Sequence, residues 1–69
     1  MNEETKAAHI TYLLELLKSF EDERKAAYLR NNGTLSAIFG GKAYAIKQVL
    51  WDLYQVGSME AERLIGIFD

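Results

Sequence analysis

The chain has 69 residues, no cysteine, no proline, 49 % hydrophobic residues and a formal net charge of −2. That composition excludes a disordered chain, a disulfide scaffold and a thiolate metal site, and it fits one small domain over residues 1–69. Charge is evenly spread, with five basic and six acidic side chains in residues 1–33 and three and four in residues 34–69, so no basic patch invites nucleic acid or an anionic membrane.

The N-terminus reads NEETK, acidic where a secretory segment would be basic. No apolar run approaches the ~20 residues that cross a bilayer. The expectation is a cytoplasmic, all-α protein, a small helical bundle.

A long first helix is expected over about residues 3–31. Asn2 is a good N-cap, and Glu3 and Glu4 sit where the helix dipole favours negative charge. Ile10, Leu13, Leu14, Leu17 and Phe20 form an apolar stripe at helical spacing that continues to Ala27 and Tyr28. Glu21 and Arg24 interrupt the stripe, and the expectation is that both reach solvent along their stems, pairing at i, i+3. Asn31-Asn32-Gly33 is the stop.

Thr34 is the expected cap of the next segment, with Leu35, Ile38 and Phe39 pointing inward. Gly40-Gly41 should break or kink it. The apolar phase carries through the glycines, which favours one bent segment, residues 34–39 and 42–56, antiparallel to the first helix. Gly57 is the expected end, and Ser58 the cap of a short last helix over 58–67 that frays toward Asp69.

Lys42 to Val56 organises the rest. Ala43, Ile46, Val49, Leu50 and Leu53 make one face, and Tyr44, Lys47, Trp51 and Tyr54 a second, roughly opposite one. A helix apolar on nearly every side is covered on more than one side.

Constellations for chemistry are weak. His9 is the single histidine and has no carboxylate at ligand spacing, so no metal site is expected. One histidine and serines only at 19, 36 and 58 give no nucleophile–base pair. Gly40-Gly41-Lys42 fails the phosphate-loop pattern, because Ser36 stands for the first Gly and Ala43 for the Ser or Thr. Neither an enzyme nor a cofactor or small-molecule substrate is expected.

The remaining signal is aromatic. Tyr and Trp are enriched in interface cores because they join apolar area to a hydrogen-bonding tip. Tyr44, Lys47, Trp51, Tyr54 and Phe68 are therefore the partner-binding candidates, set against the plainer expectation that the last helix covers Trp51 and Tyr54 as ordinary packing. They describe an acidic helical interaction module that binds a larger protein or a copy of itself. It would be an inhibitor or adaptor of the kind found among phage and mobile-element accessory proteins. The alternative is a DNA-binding regulator with a helix-turn-helix near 49–67, which requires Lys42, Lys47, Arg63 and Arg24 or Arg30 to gather on one face. Glu60 and Glu62 at the leading end of its recognition helix oppose that alternative. A purely structural homo-oligomer is the third reading.

Overall fold

The computed structural model describes residues 2–66. Three helices follow in order: α1 (Glu3–Leu29), α2 (Gly33–Tyr54) and α3 (Ser58–Leu64). α1 and α2 form an antiparallel hairpin and α3 folds back against α2. The molecule measures 43 × 23 × 16 Å, its length set by α1, whose 27 residues span about 40 Å at the α-helical rise.

α1 begins as expected. Asn2 Oδ1 accepts from Thr5 N at 2.8 Å, and Glu3 and Glu4 occupy the first turn. It stops two residues short of 31. Asn31 takes the left-handed conformation (φ 59°), Asn32 N donates to Ala27 O at 2.9 Å and Asn31 N to Tyr28 O at 3.0 Å. This is a Schellman closure with asparagine in the usual glycine place.

α2 starts earlier than expected. Asn32, not Thr34, is its cap, accepting from Leu35 N at 3.0 Å. Adjacent asparagines thus end one helix and start the next, which makes the hairpin turn tight. The helix runs through Gly40 and Gly41 without a break. Its end also differs: Gln55, two residues before Gly57, adopts the left-handed conformation (φ 60°), and Val56 N reaches back to Leu50 O at 3.1 Å. Gly57, not Ser58, holds the cap position of α3 and supplies no side-chain acceptor. α3 ends at Leu64, short of 67; Phe68 and the expected fraying toward Asp69 lie outside the described residues.

The core is narrow. Leu13, Leu17, Ala43, Leu50 and Ala61 are buried together, with Ile10, Leu14, Phe20, Ile46, Val49, Tyr54, Val56 and Ile65 packed around them. Several expected core positions lie outside it: Leu53 is 61 % exposed, Ile38 50 % and Tyr28 69 %. Leu53 shares a side of α2 with Ile46 and Val49, which pack against the core, but it stands in the last turn of the helix; Ile38 lies farther round, away from the buried line through Ala43 and Leu50. Tyr28 lies in the last turn of α1, beside the hairpin turn, where no third helix covers it.

Glu21 does not reach solvent as expected. Its side chain is only 11 % exposed, because α2 supplies it with a cation. Glu21 Oε1 lies 3.9 Å from Lys47 Nζ, and Glu21 Oε2 accepts from Arg24 Nη2 at 3.0 Å and Nε at 3.2 Å. Lys47 in turn donates to Glu62 on α3. Arg24, Glu21, Lys47 and Glu62 therefore form an alternating, net-neutral chain of charges across all three helices. Gly40 lies beside the Arg24 stem, where a Cβ would touch Arg24 Cδ at 3.4 Å, an ordinary van der Waals distance.

α3 depends on these contacts. Seven residues are too few for an isolated helix, which is marginal in water below about 12–15. Buried Ala61 and the Lys47–Glu62 pair hold it to α2.

Candidate functional site

Helical periodicity placed Tyr44, Lys47, Trp51 and Tyr54 on one face; the structure divides them. Lys47 and Tyr54 sit at its inner edge. Lys47 is engaged by Glu62 and Glu21. The Tyr54 hydroxyl is hydrogen-bonded to His9 Nδ1, and the two rings meet edge to face at 5.4 Å and 86°. His9 is therefore a packing partner for the C-terminal turn of α2. Both residues serve the α1–α2–α3 contact rather than an outward surface.

Tyr44 and Trp51 are turned outward, 63 % and 51 % exposed. α3 does not close over Trp51. The two rings are two turns apart on one line of α2, with Ala37, Gly41 and Gln48 completing it at a spacing of 4-3-4-3. All five positions are exposed. None is charged. Of the twelve exposed positions in α2, only Lys42 and Asp52 carry charge, and neither lies on this line. Lys42 extends over the rings of Phe20 and Phe39, its Nζ 5.7 and 5.2 Å from their centroids.

Gly41 is the unusual member. A Cβ built on it would meet nothing within 4 Å. Glycine inside a helix costs roughly 0.5–1 kcal/mol relative to alanine. At Gly40 a Cβ would make only an ordinary contact with the Arg24 stem, and at Gly41 it would meet nothing among the described residues, so packing among them requires neither glycine.

The cations that a DNA-binding face would require are distributed otherwise. Arg24 is held by Glu21, Lys47 by Glu62, and Arg63 by Glu60 through Nη2 at 2.7 Å and Nε at 3.2 Å. Arg30 stands at the opposite end of the hairpin, at the α1 C-cap. Among the described residues no cluster of His, Cys, Asp and Glu is placed to hold a metal ion, and no helix is long and apolar enough to cross a membrane. An open groove of about 390 Å³ lies between Thr11, Leu14, Glu15 and Lys18 of α1 and Leu64 and Ile65 at the end of α3.

Comparison with protein-family models, with curated proteins and with solved structures finds no match to this chain.

Proposed function

We propose that this chain is a helical protein-interaction module of the inhibitor or adaptor type that docks the outer side of α2 onto a partner, either a larger protein or a copy of itself. One observation carries the proposal: Tyr44 and Trp51 are exposed together on an uncharged line of the helix that runs through the middle of the chain. Large, rigid aromatics with a polar tip, set in a patch depleted of charge, are the composition of an interface core. A regular helix presenting anchors at i and i+7 matches the way helices pack into partner grooves.

The test is site-specific photo-crosslinking in the producing cell. A photoreactive residue at Gln48, between the two rings, is expected to form a protein adduct. The same residue at Glu23, on the exposed, charged side of α1, is expected to form none. Adducts of equal yield from both positions, or from neither, would overturn the proposal.

A further inference from the structure

We infer that the partner seated on this face is a second copy of the chain, the two α2 helices packing antiparallel about a two-fold axis near residue 46. The inference rests on the proposed docking role of the α2 face and names its occupant.

One observation favours a second copy over an unrelated protein, and two more are compatible with it. The first is shape. In a two-fold antiparallel pair centred at 46, position 51 of one copy faces position 41 of the other, so each Trp51 ring sits over the partner copy's missing Cβ at position 41. Tyr44 faces Gln48, where a phenol and an amide can share a hydrogen bond. Large and small residues thus match about the midpoint of the line, as knobs and holes do. This supplies the reason for glycine at 41 that the single chain lacks.

The second observation is charge. A two-fold contact brings the same surface patch against itself, so a patch of one charge sign would repel its copy. The 37–41–44–48–51 line carries none.

The third is area. Tyr44 and Trp51 keep 63 % and 51 % of their surfaces in water. With side chains of ~150–250 Å² and the smaller residues between them, one line offers on the order of 500 Å². Two copies remove about 1,000 Å² in total, the low end for a specific interface, so the dimer is expected to be weak, in the micromolar range.

Sedimentation velocity across a dilution series from about 1 to 500 µM, with Trp51 emission read on the same samples, tests this. The chain is expected to pass from monomer to dimer mass as concentration rises, and Trp51 emission to move to the blue in step. Gly41→Gln fills the hole without a clash inside the monomer. It is expected to weaken association by about tenfold or more while the thermal midpoint of the monomer holds or rises. A wild-type chain that stays monomeric throughout, or a Gly41→Gln dimer as tight as wild type, would overturn the inference. If the chain is monomeric while Gln48 still crosslinks to a different protein, the self-pairing fails and the docking role stands. Adducts from neither position in a monomeric chain remove both.

Discussion

α1 and α2 share one core but present different outsides. Of fifteen exposed positions in α1, seven are charged: Glu3, Glu4, Glu15, Lys18, Asp22, Glu23 and Lys25. In α2 only Lys42 and Asp52 are, of twelve. α1 is thus a helix with one buried face and one solvated face, the usual condition of a surface helix. α2 is buried toward α1 and α3, yet its far side keeps the composition of a buried helix. A near-neutral total charge conceals this asymmetry. What differs between two helices of one hairpin is the charge each outer surface carries, and the proposed docking role rests on that contrast.

The sharpest test uses adjacent residues on opposite sides of α2. Leu50 is fully buried, whereas Trp51 is half exposed. Leu50→Ala leaves a cavity among Leu13, Leu17 and Ala61 and should cost about 3 kcal/mol. That is comparable to the whole stability a core of this size rarely exceeds, so the variant should be largely unfolded in urea titrations. Trp51→Ala, measured at concentrations where the chain is monomeric, should cost about 1 kcal/mol or less despite removing the larger side chain. Equal losses would mean that the monomer itself needs Trp51, and the contrast between the two helix exteriors would collapse.

A smaller effect is expected at the charged chain that crosses the helices. Lys47→Met keeps the stem but leaves Glu62, 21 % exposed, without its cation; Glu21 keeps Arg24. Breaking a fully buried pair costs several kcal/mol, and the partial exposure here reduces the expectation to about 2 kcal/mol. The loss should fall unevenly. α3 has few other holds, so backbone amides of Ser58–Leu64 should lose protection from hydrogen exchange before those of α1. A second change, Glu62→Gln, should recover part of the loss by removing the stranded charge. Uniform loss of protection across all three helices would show that α3 is part of the same cooperative unit.

Much of this architecture was legible in the sequence, because helix extents follow from periodicity and capping chemistry that are local. Leu13 and Leu17 read as core, and Asn2 and Asn31 as helix ends, on their own neighbourhoods. The inner face of α2 was legible as well: Ala43, Ile46, Val49 and Leu50 of the expected face lie in or against the core, and only Leu53, in the last turn, is exposed. Lys47 read as part of an outward aromatic line because its partners, Glu62 and Glu21, are 15 and 26 positions away in the chain. Glu21 misled for the same reason, since a carboxylate in an apolar stripe signals a solvated gap unless its cation on another helix is known. Tyr44 and Trp51 were found as candidates by residue type, but what singles them out is exposure, which comes only with the packed hairpin.

Gln55 carries a cost of its own kind. Its left-handed backbone (φ 60°) closes α2, and a residue with a Cβ is disfavoured there by about 1 kcal/mol. Its side-chain amide reaches Trp51 O only at 3.5 Å, too long to offset much of that. Gln55→Gly should therefore raise the urea midpoint by an amount equivalent to about 1 kcal/mol. No gain would mean that the α2–α3 turn relaxes without strain.

The smallest effects sharpen the comparison most finely, because they separate stability from association. Lys18 and Asp22 form an exposed i, i+4 pair at 2.8 Å on α1. Asp22→Asn removes it and should cost about 0.3 kcal/mol, less at high salt, since water screens both groups already. Gln48→Glu places a charge on the exposed line of α2, where the monomer also has room, and should likewise change monomer stability by no more than about 0.5 kcal/mol. The two substitutions are matched in size, exposure and cost to the fold. They differ in the surface they alter. If α2's outer side is an interface, Gln48→Glu buries a carboxylate with no cation opposite it and weakens sedimentation-detected association, while Asp22→Asn leaves it unchanged. If both variants associate like wild type, the lack of charge on α2 has no role in docking.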